Sequence, residues 1–193
     1  MGTRVDTGFI VCVTGTESTG KTTLATALAQ YFDAPLVPEI AREWLTPRTQ
    51  RGEGGQPSEA YGPMDVLAIA TAQEAAESSL RATGAPLIFA DTDQVVMSVW
   101  WEVRYGGSHP AIVDALARRS PRAYLLLEPD VPWQPDPLRE TAAGRELLHA
   151  YYRTLLMRDA FPFKEVSGLG DQRLQSALAA VASWIPSNHR KPD

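Results

Sequence analysis

The sequence contains one cysteine, Cys12, so no disulfide can close within the chain. Cys12 sits in an apolar segment and reads as a small buried hydrophobe, and the lack of a partner thiol suits a reducing cytosol. No apolar run is long enough to span a bilayer, and no signal-peptide pattern heads the chain. Basic runs are also missing. Against 23 Asp and Glu stand 18 Lys and Arg, a net charge of −5, which argues against nucleic acid or an anionic membrane as partner. There is no internal repeat. What remains is 193 residues with 44% apolar and 21% charged content, enough for one ordinary domain with its own core. The expectation is a cytoplasmic protein, a single domain over residues 1–193, with a small molecule as partner. Its oligomeric state is left open.

The positive signal is concentrated between Phe9 and Phe32. Phe9-Ile10-Val11-Cys12-Val13-Thr14 is a short β-branched run suited to a central strand. Leu24, Ala27, Leu28 and Tyr31 recur at helical spacing. Between them stands Gly15-Thr16-Glu17-Ser18-Thr19-Gly20-Lys21-Thr22-Thr23, which contains the phosphate-binding pattern G-x-x-x-x-G-K-T. Backbone N–H groups of residues 16–20 can curl into a nest for phosphate oxygens. The helix from Lys21 aims its positive end at the same anion. Gly15 and Gly20 are read as supplying backbone angles that other residues resist and as leaving room for the ligand. Lys21 brings a full charge to the β/γ-phosphates, and Thr22 a hydroxyl to Mg²⁺. The expected ATP-binding set is therefore Gly15, Glu17, Ser18, Thr19, Gly20, Lys21, Thr22 and Thr23.

Four further strands are expected, at residues 34–38, 86–90, 123–127 and 163–166. Helices are expected over 64–82, from Asp93 to about Arg104, and over 110–119, 140–158 and 172–184. Residues 46–63, rich in Gly, Pro, Ser and charge, read as a mobile loop. Residues 128–145 read as a lid, and 186–193 as a polar tail. Strands alternating with helices predict a three-layer α/β fold of the P-loop NTPase type, a mostly parallel five-stranded sheet covered on both faces. Such sheets bind ligands outside the carboxyl ends of the strands. Chemistry-bearing residues follow every strand: Lys21, then Glu39 and Arg42, then Asp91 and Asp93, then Glu128 and the Trp133 loop, then Ser167 and Gly168.

Asp91, closing an apolar run, reads as a Walker B aspartate that holds Mg²⁺, with capping of the next helix as the other role open to Asp91-Thr92-Asp93. Three classes of nucleotide protein are disfavoured. The Asn-Lys-x-Asp motif of GTPases is absent. Gly54-Gly55-Gln56 lacks the serine of the transporter signature. Asp-Thr-Asp replaces the Asp-Glu expected of a ring-type mechanical ATPase, and no spare helical lid domain is in sight. A compact kinase for a small acceptor is left, with a lid that keeps out water, the competing acceptor. Arg139 and Arg145 in the lid are candidates to clamp the transferring phosphoryl group; either also suits a solvated helix face. Trp133 suits either a core or stacking on a planar ring of the acceptor.

Five blocks together resemble the nicotinamide riboside kinase domain of the multifunctional bacterial NAD-biosynthesis regulator. These are Gly15 to Leu24, Glu39-Ile40-Ala41-Arg42-Glu43, Asp91-Thr92-Asp93, Tyr105-Gly106-Gly107-Ser108-His109-Pro110 and Trp133-Gln134-Pro135-Asp136-Pro137-Leu138-Arg139. They run in order across nearly the whole chain. The resemblance implies ATP- and Mg²⁺-dependent phosphorylation of the ribose 5′-hydroxyl of nicotinamide riboside, giving nicotinamide mononucleotide. It implies that Trp133 faces the pyridinium ring, that Asp136 and Arg139 belong to the lid, and that Glu39, Arg42, Glu43 and Asp93 contact the sugar or take its proton. Tyr105 joins the acceptor set through its block. Similar kinases place adenine near Ser167 and Gly168. Lys21, Asp91, Glu39 and Arg139 form the expected catalytic set, and Thr22 and Asp91 the metal set. Ile40 and Pro137 depart from the family's usual aromatic and glycine, and 46–63 has no counterpart. With eight residues before the first strand, no DNA-binding or adenylyltransferase module is expected. Another nucleoside or small metabolite as acceptor, or a nucleotide-sensing regulatory ATPase, stand as alternatives.

Overall fold

The computed structural model describes residues 8–50, 61–132 and 144–185, and for 47–50 the backbone alone. Trp133, Asp136 and Arg139 lie outside the described residues. In chain order the elements are β1 Phe9–Gly15, α1 Lys21–Phe32, β2 Leu36–Val37, α2 Ile40–Gln50, α3 Pro63–Ala82, β3 Leu87–Asp91, α4 Gln94–Tyr105, α5 Pro110–Ala117, β4 Arg122–Leu127, α6 Arg145–Arg158, β5 Phe163–Val166 and α7 Gly170–Trp184.

All five strands are parallel, in the order β2-β3-β1-β4-β5. β1 is central: Val13 pairs with Asp91 on one side and with Leu125 on the other. Chain connections run to opposite sides of β1, and parallel sheets form a crevice at that point. Parallel strands are buried on both faces, so their sequences are continuously apolar, and side chains alternate between two cores. Val11, Val13, Phe89, Leu125 and Leu127 pack under α1 and α7. Ile10, Cys12, Ile88, Ala90, Tyr124 and Leu126 pack against α3, α4 and α6. A smaller cluster of Ala41, Leu45, Ile69, Ala70 and Met97 joins α2, α3 and α4 beside the sheet. Cys12 is fully buried.

Two boundaries bear on the site. α2 continues to Gln50, so the first part of the 46–63 segment is helical. Pro47 suggests a break there, yet the Thr46 hydroxyl donates to the Arg42 carbonyl at 2.7 Å and the turn persists. α6 starts at Arg145, behind Gly144 at φ 81°, and residues 140–143, expected to open this helix, lie outside the described residues. No helix among the described residues is long and apolar enough to cross a membrane.

Candidate active site

The loop between β1 and α1 has the shape its sequence demands. Ser18 and Gly20 have φ of 56° and 80°, which turns successive amides inward ahead of α1. Thr19 Oγ1 and Lys21 Nζ both donate to the Thr16 carbonyl, at 2.9 and 2.8 Å. Gly15 has the backbone angle expected of it, but the room it leaves is for β4 and not for the ligand. At φ 133°, a Cβ on Gly15 would sit 2.9 Å from the Leu127 carbonyl oxygen. Gly15 therefore makes room for β4, whereas Gly20 has open space around it and is needed for its angle.

The two aspartates after β3 are used differently. Asp91 is 1% exposed, and neither carboxylate oxygen has a partner in hydrogen-bond geometry. Burial pushes its pKa up to about 6; the adjacent Thr22 hydroxyl opposes the rise, Glu39 adds to it, and Lys21 and Arg42 pull it down. A buried carboxylate without a partner calls for a cation, so Asp91 and Thr22 fit Mg²⁺. Among the described residues no group of three His, Cys, Asp or Glu could hold a metal alone, which suits an ion that takes most of its ligands from phosphate and water. Asp93, expected to meet the acceptor, is instead engaged within the fold. It caps α4 by accepting from the Val95 N–H at 2.9 Å, and it accepts from Arg122 at 3.0 Å and Tyr124 at 2.6 Å. Arg122 also donates to Glu77 at 2.7 Å. The capping role open to the Asp91-Thr92-Asp93 segment thus falls to Asp93.

A cavity of about 430 Å³ opens along the loop. Its polar lining is Gly15, Glu17, Ser18, Thr19, Gly20, Lys21, Thr22 and Thr23 of the loop, together with Glu39 and Arg42. Glu39 accepts from Arg42 Nε at 3.3 Å. The rest of the lining is apolar or aromatic: Ala41, Leu45, Tyr61, Val96, Met97, Val99, Trp100, Val103, Leu148 and Tyr152. Trp100 Nε1 donates to the Tyr61 hydroxyl at 2.9 Å, and the two rings meet edge to face. Glu43 and Tyr105 lie outside this wall. Tyr105 packs on Trp101, and His109 caps α5 by accepting from the Ala111 N–H at 3.2 Å, so that block has a structural use.

Two arginines tie the phosphate loop to the neighbouring strand ends. Arg145, 9% exposed, donates to the Ser18 carbonyl at 3.2 Å and the Val131 carbonyl at 3.1 Å. It reaches the loop through a backbone carbonyl. Arg173 was not among the expected residues. It is 5% exposed on α7 and donates to the Thr19, Gly168 and Glu128 carbonyls and to Asp130. Asp130 also accepts from the Gly168 N–H at 2.6 Å. Gly168 is thus fastened to the loop through these partners, while Ser167 is exposed. The spacing of Arg173 with Ala177 and Val181 puts it on the buried face of α7, and that periodicity was the available signal. Trp100 and Val103 were equally legible as one stripe of α4.

A family model described as an AAA domain matches residues 10–173, most of the chain. The chain belongs to that family. Among solved structures, the NadR protein in complex with NR has a TM-score of 0.72 at 22% identity, over 94% of this chain and 52% of that one. NadR with NAD and AMP-PNP gives 0.74 at 22% identity, over 98% and 52%. Deoxyadenosine kinase from M. mycoides gives 0.63 at 14% identity, over 91% and 100%. At these identities the likeness establishes a shared P-loop kinase fold. The chain spans about half the length of the NadR chains it matches. No curated protein matches by sequence.

Proposed function

We propose that this protein is an ATP-dependent phosphotransferase that phosphorylates the ribose 5′-hydroxyl of nicotinamide riboside. One observation carries the reading: the phosphate loop and an apolar, aromatic wall line one cleft together with Glu39 and Arg42, and the buried Asp91 interacts with Thr22, Glu39 and Lys21 of that lining. Backbone amides of 16–20 and Lys21 bind the triphosphate, and Arg145 holds the loop in shape. Asp91 and Thr22 would hold Mg²⁺, which neutralises phosphate charge when bound. Glu39 faces the position of the acceptor hydroxyl and orients it or accepts its proton. Phosphoryl transfer asks mainly for such positioning and charge compensation. Tyr61 and Trp100 offer edges and faces to a planar ring. Arg139, Trp133 and Asp136 complete the lid in this reading.

A second acceptor class has an observation in its favour. The Arg104 guanidinium lies 4.6 Å from the centroid of the Tyr61 ring. A cation already on that face favours an uncharged ring over a pyridinium, and a neutral nucleoside meets that condition. The deciding assay supplies ATP, Mg²⁺ and a panel including nicotinamide riboside and the common nucleosides, and follows ADP and the product's mass. Acceptor-dependent ADP with nicotinamide mononucleotide as product is expected. ADP release indifferent to every acceptor would favour a regulatory ATPase. Lys21→Ala is expected to abolish transfer while circular dichroism stays that of the wild type; full activity in that variant would end the kinase reading.

A further inference from the structure

Gln73 lies in the middle of α3, 3% exposed and outside the wall of the cleft. Its amide is fully engaged. Nε2 donates to the Pro38 carbonyl at 3.1 Å and to the Thr92 carbonyl at 3.4 Å. Oε1 accepts from the Ile40 N–H at 3.1 Å. Pro38 and Ile40 are the two neighbours of Glu39, and Thr92 directly follows Asp91. One side chain therefore grips the backbone beside both carboxylates.

The local backbone explains why such a grip is needed. β2 ends at Val37 after two residues, so Pro38 and Ile40 have no strand partner. The Ile40 N–H opens α2 and has no acceptor inside that helix. The glutamine amide presents donor and acceptor side by side, as a neighbouring strand would. Thr92 has φ 72°, an outlier for a β-branched residue that persists only where its surroundings hold it. The Val13 carbonyl accepts its N–H at 3.1 Å, and Gln73 takes its carbonyl. Gln94 adds a second tie to the same helix, donating to the Ala70 carbonyl at 2.7 Å.

We propose that Gln73 is a positioning residue: it fixes Glu39 relative to Asp91 and so aligns the acceptor hydroxyl with the phosphate held by the loop. The inference rests on the phosphotransferase reading. A displacement of about 1 Å at a reacting group can lower a rate about 100-fold, so the effect belongs in kcat. Gln73→Met keeps the length of the side chain and removes all three hydrogen bonds. It is expected to lower kcat about 10- to 100-fold with the KM for ATP unchanged. Thermal shift supplies a readout free of turnover. AMP-PNP alone should raise Tm equally in variant and wild type, whereas the further rise on adding Mg²⁺ should shrink in the variant. A variant with lower Tm but wild-type kcat and an intact Mg²⁺ increment would overturn the proposal, since Gln73 would then only support the fold. If Gln73→Met does not fold, Gln73→Glu keeps the shape and the Ile40 acceptor, loses both donors, and is judged by the same two readouts. Wild-type protein inactive with every acceptor would count against the phosphotransferase reading, and the Mg²⁺ increment would still decide the role of Gln73.

Discussion

Asp91 binds a proton more tightly in the folded protein than in the unfolded chain, because burial raises its pKa from 3.8 to about 6. Between those values the native state holds a proton that the unfolded state has released, so the metal-free protein loses stability as pH rises through that window. The loss is complete above pH 6 and corresponds to about 3 kcal/mol. Asp91→Asn removes the charge without changing the shape. It should raise the denaturation midpoint of the metal-free protein at neutral pH, give little difference near pH 4, and abolish phosphoryl transfer. Denaturant melts at both pH values check this; equal midpoints at neutral pH would mean the carboxylate is not strained. Gly15 supplies a second test. Gly15→Ala places a methyl against the Leu127 carbonyl at an angle L-residues avoid, and should cost about 2 kcal/mol or more. Gly62→Ala, with open space and ordinary backbone at the N-cap of α3, should cost less, about 1 kcal/mol or under, in the same melts.

At the scale of elements, the phosphate loop is held from outside its own strand and helix. Arg173 carries a charge from α7 to carbonyls on three separate loops and to Asp130. Arg173→Ala leaves those buried carbonyls and Asp130 without their donor, and should destabilise by about 3 kcal/mol. It should also raise the KM for ATP, because Thr19 and Gly168 lose their common anchor. Calorimetry and initial rates measure the two effects; a change in Tm with ATP binding intact would confine Arg173 to stability. Arg173→Lys should recover little, since one ammonium cannot satisfy a fork of acceptors. Helix α2 shows the limit of local reading. Pro47 and the polar residues after it suggest a loop, while the packing of Ala41 and Leu45 on α3 and α4 carries the helix through.

Across the whole molecule, the cleft is assembled from pieces far apart in sequence: the phosphate loop, α2, the residues before α3, α4 and α6. Trp100 lines the cleft more than seventy residues from the loop. Trp100→Ala should weaken acceptor binding about 10-fold or more and leave ATP affinity near the wild-type value, as titration of each ligand separately would show. Equal losses for both would make Trp100 part of the core and not of the acceptor pocket.

Residue order alone determined the parallel α/β layering, the phosphate loop and the aspartate at the end of β3, because each depends on spacing within one strand or one turn. Tertiary structure decided what those residues touch. Asp91 and Asp93 look alike in the sequence and both are buried, yet the register of β3 on β1, and of β1 on β4, sets one next to Thr22 and delivers the other to Arg122 and Tyr124. The same holds for Gln73, Trp100 and Arg173. Each sits on a helix face whose period reads as buried, and only the packing of that helix against distant strand ends shows which group it holds.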